Sequence, residues 1–221
     1  MTREQYAHQL KDLRSSVVAM ASMVDKAINS AVSALVQRDV PAAQQVVAED
    51  RAINEHRWRT EEQALLLIAT QAPMAKDLRT IAAVISIVTD LERMADHAAG
   101  IAKIAIQTAD QAPLKPLIDI PRMCEIARAM LHDAITAYIE DDQTAARAIV
   151  TRDDAVDGLY EQIYRELLTF MLADPTTIDQ ATRLLWVAHN LERIADRVTN
   201  ICERVVFAAT GQFEERAVST Y

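Results

Sequence analysis

Two stretches of the chain place a glutamate and an aspartate four residues apart: Glu92 with Asp96, and Glu192 with Asp196. On a helix that spacing stacks both acids on one face, one turn apart. Like charges so placed repel by about 0.2–0.5 kcal/mol on an exposed helix. Recurrence of the pair in two parts of one chain implies that something compensates the repulsion. Asp153 and Asp157 repeat the spacing, with Glu161 a turn further on. Asp50 and Asn54 form a weaker version in which an amide replaces one acid, with Glu61 beyond.

Two compensators fit these residues. The first is a metal ion, because carboxylate oxygens are hard ligands that suit Mg, Ca, Mn, Fe or Zn. A Glu-x-x-x-Asp helix facing an Asp-x-x-x-Asp helix would supply several oxygens. The candidate metal ligands are therefore Glu92, Asp96, Asp50, Glu192, Asp196, Asp153 and Asp157. The second compensator is arginine. Arg93 and Arg193 lie inside the motifs, and Arg79 and Arg183 lie upstream on the same helices. Arg93 stands three residues from both Asp90 and Asp96, so ion pairs within a solvated charged face are the plain structural reading. Ala95, Ala98, Ala99 and Gly100 flank the first motif and Ala195 the second. Such small side chains leave carboxylates uncovered or admit a close neighbour. Gly100 within a helix costs about 1 kcal/mol relative to alanine, which implies a packing or access reason.

The elements that must position these acids are helices. Three glycines in 221 residues leave almost nothing from which to build tight β-turns. Half the residues are apolar and few are aromatic, so a sizeable core of Ala, Leu, Ile and Val is expected. Asp39 before Pro41 and Asp174 before Pro175 read as capped helix starts. With Pro73, Pro113, Pro116 and Pro121 they divide the chain into six helices, at 3–37, 40–70, 74–109, 119–140, 142–173 and 176–210. The longest would span roughly 50 Å. Val17, Met20, Val24, Ala27, Ile28, Ala31 and Leu35 recur at steps of three and four, as do Ile81, Val84, Ile85, Val88, Leu91 and Ala95. These stripes are core faces.

The chain is a repeat. Asp90-Leu91-Glu92-Arg93-Met94-Ala95-Asp96 returns 100 residues later as Asn190-Leu191-Glu192-Arg193-Ile194-Ala195-Asp196. Upstream, Asp50-Arg51-Ala52-Ile53-Asn54 returns 103 residues later as Asp153-Asp154-Ala155-Val156-Asp157. The three-residue slip is expected in a shorter connection at Asp174-Pro175. The fold class is then all-α, two tandem pseudo-symmetric three-helix bundles. The first repeat covers 1–110, a hinge 111–118, and the second repeat 119–221.

Several classes are excluded. A net charge of −9 opposes a broad nucleic-acid face. Cys124 and Cys202 are isolated and read as core residues in a reducing compartment. The N-terminal segment lacks the apolar run of a signal peptide, and no stretch is long enough to span a bilayer, so a cytoplasmic protein is expected. No Gly-rich phosphate loop or nucleophile elbow is present. A di-iron bundle enzyme needs Glu-x-x-His. The residues three before His8, His56, His97, His132 and His189 are Gln5, Ile53, Met94, Ala129 and Trp186, so that signature is absent. His189-Asn190-Leu191-Glu192-Arg193 has a faint likeness to a kinase phosphoacceptor helix. Gly100, Gly158 and Gly211 are too scattered for the ATP site such a kinase needs, so His97 and His189 read as surface or partly packed residues.

Over nearly its whole length the sequence resembles the PhoU family. The likeness rests on Asp77-Leu78-Arg79 with Leu91-Glu92-Arg93-Met94-Ala95-Asp96, then Leu191-Glu192-Arg193-Ile194-Ala195-Asp196-Arg197 with Asn200-Ile201-Cys202-Glu203. The family usually carries glycine where Ala95 and Ala195 stand; alanine suits a helix equally well. The resemblance implies a cytoplasmic protein, often a homodimer, that is not an enzyme. It implies work with the ATPase of a phosphate ABC transporter and a phosphate-sensing histidine kinase, relaying phosphate sufficiency and silencing starvation genes. It also implies iron or other metal (Fe, Zn, Mn or Mg) at Glu92 and Asp96, Glu192 and Asp196, and Asp153 and Asp157, with no organic cofactor. Asp50 matches, while Asn54 should weaken the site that uses its helix. A carboxylate-rich helical-bundle metalloprotein, either a di-iron-type enzyme or a metal store, and a metal-free helical adaptor are the alternatives to that picture.

Overall fold

The structure, a computed structural model, describes residues 3–212, so the outermost parts of both repeats lie outside the described residues. The helices are α1 (Arg3–Gln37), α2 (Val40–Gln71), α3 (Lys76–Thr108), α4 (Asp119–Glu140), α5 (Gln143–Val150), α6 (Asp153–Ala173) and α7 (Ile178–Thr210). A 3₁₀ turn, Pro175–Thr177, leads into α7. The all-helical expectation is met, with one correction. The helix expected over 142–173 is broken at Thr151–Arg152 into α5 and α6. Neither residue is Pro or Gly. The break comes from three-residue bonding: Arg152 N donates to the Ile149 carbonyl and Thr151 Oγ1 to the Ala148 carbonyl. A hydroxyl that captures a carbonyl this way competes with the α-helical ladder.

The acids placed before prolines cap as expected. Asp39 accepts from Ala42 N at 3.0 Å and Asp174 from Thr176 N at 2.9 Å. Asp142 does the same for α5, accepting from Thr144 N and Ala145 N. The connections 72–75 and 174–177 are equal in length, so the three-residue slip lies in the helices beside them and not in the connections.

The last helix of each half forms the spine. α3 and α7 run antiparallel: Arg79 lies 3.5 Å from a Cβ built on Gly211 at one end, and Arg183 bonds Gln107 at the other. Between them, Asp90 Oδ1 accepts from Arg197 Nη1 and Asn200 Nδ2, both at 3.3 Å. Asn190, the repeat partner of Asp90, meets His97 Nδ1 at 2.9 Å. A Cβ on Gly100 would lie 3.3 Å from Asn190 Oδ1, which is the packing reason for that glycine. α1 and α2 pack on α3, and α4, α5 and α6 on α7. α1 also meets α4, where Arg128 Nε and Nη2 each donate at 2.8 Å to the carboxylate of Asp25. Asp25 and Arg128 are 103 residues apart and therefore occupy the same place in the repeat.

One continuous core runs through both halves. It takes in the expected stripes of α1 and α3, from Val17 to Leu35 and from Ile81 to Ala95, with only Ile85 left half-buried. Lys115 pairs with Glu166, and Gln180 donates to the Ala112 carbonyl, which ties the linker down onto the second half. Among the described residues no helix is long and apolar enough to cross a membrane.

Candidate functional site

Each half carries one acidic face, between its last two long helices. In the front half, α2 supplies Asp50 and Asn54, and α3 supplies Glu92 and Asp96. Glu92 is only 9% exposed, although it stands among charged residues. Burial pushes its carboxyl above the usual range. Asp96 adds to the rise, Arg57 and Arg93 oppose it, and Asp50 adds again. Asp50 is raised by burial and by Asp96, against Lys103 and Asn54. Asn54 Nδ2 donates to Asp50 Oδ2 at 3.1 Å. The other oxygen, Asp50 Oδ1, is buried without a hydrogen bond, and so is Glu92 Oε2.

In the back half, α6 supplies Asp153 and Asp157, and α7 supplies Glu192 and Asp196. Asp153 is 4% exposed. Glu192 is raised to about 7, first by burial and then by Asp196; Arg193 opposes, while Asp157 and Asp153 add. Glu192 Oε2 is buried and has no hydrogen-bond partner; His189 Nδ1 approaches to 3.3 Å. Burial and Arg193 push His189 below its usual range, so near neutral pH it brings no full charge to that oxygen.

All seven candidate ligands thus fall into two sets, Asp50–Glu92–Asp96 and Asp153–Asp157–Glu192–Asp196. Arginine offsets part of the charge in both halves. Arg193 Nη1 sits 2.9 Å from Asp196 Oδ2. Arg93 straddles Glu92 at 3.6 Å and Asp96 at 3.7 Å. The inner glutamates keep an unsatisfied oxygen in each half. As the side chains stand, no three His, Cys, Asp or Glu among the described residues are gathered as a metal cage. The donor set nonetheless fits a hard cation: all-oxygen, with pKa values raised by burial and then by neighbouring acids, and buried oxygens lacking hydrogen bonds.

Two expectations need correction. Arg79 packs beneath Gly211, and Arg183 pairs with Asp179 at 2.9 Å, so neither serves the acids. Asp90 turns to α7 and not to Arg93, because its carboxylate lies at the α3–α7 seam. Glu161, one turn beyond Asp157, is exposed on α6. Sequence reading missed Arg57, Tyr160 and Trp186 beside the acids. Reading the repeat offset position by position would have exposed them, because it pairs Arg57 with Tyr160. His97 and His189 are half-buried, as expected. Cys124 and Cys202 are free and buried, with thiols pushed up to about 11 and about 12.

Fold and faces together define a duplicated helical bundle with one partly buried carboxylate face per half. The PhoU domain family matches residues 17–105 and again 120–205, the two halves of the repeat. The "Phosphate-specific transport system accessory protein PhoU homolog" of Clostridium acetobutylicum is 37% identical over 213 residues, 96% of this chain and 97% of that protein. Its counterpart in Caulobacter vibrioides is 39% identical over 212 residues, 96% of this chain and 92% of that protein. Among solved structures, PhoU from Pseudomonas aeruginosa superposes with a TM-score of 0.90 at 33% identity, covering 94% of this chain and all of that one. The phosphate transport system regulatory protein PhoU from Streptococcus pneumoniae gives 0.89 at 29% identity, covering 96% and 100%. The chain belongs to the PhoU family.

Proposed function

We propose that this chain is a non-enzymatic accessory regulator of phosphate uptake. It works in the cytoplasm, as a homodimer, through contacts with the ATPase of a phosphate ABC transporter and with a phosphate-sensing histidine kinase. The observation that carries this reading is family membership across both repeats, with relatives whose names state an accessory role in phosphate-specific transport. Its test is co-purification of the transporter ATPase and the kinase with the tagged chain, with and without phosphate. Failure to recover either partner in both conditions defeats it.

The two acidic faces take metal ions (Fe, Zn, Mn or Mg) in this reading. The buried, unbonded oxygens of Glu92 and Glu192 support it in both halves. Asp50, Glu92 and Asp96 would hold the front ion, and Asp153, Asp157, Glu192 and Asp196 the back one. A bound cation would lower the carboxyl pKa values and stiffen the contact between the last two long helices of its half. The back face, with four acids, binds more tightly than the front, where Asn54 replaces one. Metal analysis of purified Glu92→Ala/Asp96→Ala protein checks the front face. Metal content falls while helicity stays near the parent's; unchanged occupancy retires that face, and a parent with no metal leaves the metal-free adaptor.

A further inference from the structure

The repeat pairs Arg57 with Tyr160, Glu61 with Tyr164, Ser86 with Trp186 and Thr89 with His189. In the front half these positions form a polar mesh. Arg57 Nη1 sits 3.5 Å from Glu61 Oε1, Thr89 Oγ1 donates to that same oxygen at 3.4 Å, and Arg57 offsets the buried Glu92. In the back half the mesh is replaced by rings. His189 lies 6.2 Å from Tyr160, tilted by 54°, and 5.6 Å from Trp186, nearly edge-on at 76°. Trp186 is 57% exposed. The rings continue along α6 into an exposed strip of Tyr164, Leu168 and Leu172, spaced four residues apart. At their other border lies the Glu192 carboxylate, whose side chain is 12% exposed and whose Oε2 has no hydrogen bond.

The front half therefore carries its own guanidinium beside its buried glutamate. The back half has, at the matching place, open aromatic rings beside a glutamate whose Oε2 has no hydrogen bond. We propose that this face of α6 and α7, in the form whose acids hold no metal ion, docks a partner protein by receiving one of its arginine side chains, the guanidinium lying over Tyr160, His189 and Trp186 and reaching toward Glu192. Arginine suits the place better than lysine, because its flat cation stacks on rings while its N–H groups bond a carboxylate. Leu168 and Leu172 would cover apolar residues flanking that arginine. The chain's net charge of −9 favours approach by a basic partner surface. An isolated metal ion would gain nothing from an exposed tryptophan and leucine strip. The inference rests on the reading that the chain acts through protein contacts, and it names the chemistry of one contact.

The probe is the peptide acetyl-Ser-Leu-Arg-Leu-Leu-Ser-amide, with a twin carrying citrulline in place of arginine. It is titrated against the metal-free full chain with Trp58→Phe, so that emission reports Trp186 alone. The arginine peptide shifts the emission and binds at least tenfold more tightly than the citrulline twin. Tyr160→Arg, which gives the back half the front half's own cation, abolishes the response with circular dichroism unchanged. Glu192→Gln weakens binding about tenfold. Equal binding of the two peptides overturns the proposal, as does undiminished binding by Tyr160→Arg. A changed sedimentation coefficient for unliganded Trp186→Ala assigns the face to a second copy of the chain and also overturns it. So does loss of bound metal in that variant. Failure of the ATPase and kinase to co-purify would leave the titration untouched, and a failed titration would leave co-purification untouched.

Discussion

At the scale of single residues, Glu192 is a carboxyl held beside other acids with only 12% of its side chain exposed. Its carboxyl titrates at about 7 when folded, against 4.5 as the ordinary value, chiefly because it is buried. A raised carboxyl favours the folded state fully below pH 4.5, and that contribution is lost as pH climbs through 7. Glu92 and Asp50 act in the same direction. In chelator-treated protein, Glu192→Gln should therefore raise stability at pH 8 by up to about 3 kcal/mol and change little at pH 4.5. Thermal unfolding at the two pH values checks this. A variant less stable than the parent at pH 8 would mean that the charge already has a partner. The acids themselves were legible in the sequence because they sit on single helices at fixed spacing. Their neighbours were not: Arg57 and Tyr160 reach Glu92 and Glu192 from other helices, and only packing decides which side chains meet there.

At the scale of elements, sequence reading found the caps because aspartate before proline has a local mechanism. Asp39 and Asp174 need only their own next few residues. The break between α5 and α6 was hidden for the complementary reason. Thr151 and Arg152 are ordinary helix residues, and neither proline nor glycine marks the place. Arg152 is held from outside, by Asp133 on α4. α5 is only eight residues long, too short to hold itself, so its start depends on Asp142. Replacing Asp142 with alanine removes the acceptor for two backbone amides and should cost about 1 kcal/mol. Denaturant unfolding measures the loss, and hydrogen exchange should place it in α5 ahead of α4. An unchanged midpoint would show that packing on α7 alone keeps α5 in place.

At the scale of the whole molecule, the doubled motif announced the repeat, but the way its copies join lay beyond any local pattern. The spine of α3 and α7 is fastened by pairs such as Asp90 with Asn200 and Asn190 with His97, each a residue of one copy meeting the other copy in reverse order. Asp25 and Arg128 pin the α1–α4 contact from equivalent positions, with side chains 38% and 32% exposed. Asp25→Arg places two guanidiniums together and should cost roughly 1 kcal/mol, given the partial exposure. Adding Arg128→Asp should restore most of it, less the bond from Arg128 to Asn29. Equal loss in the single and double variants would show that the pair does not bind the halves.

That pair also gives the duplication a direction. Two copies sharing one residue at such a spot would match themselves as readily as each other. Here one copy presents an acid and the other a base at the same address, so front meets back while front against front would oppose two anions. The chain is in effect a fused heterodimer whose halves are lock and key at this contact and cannot trade places.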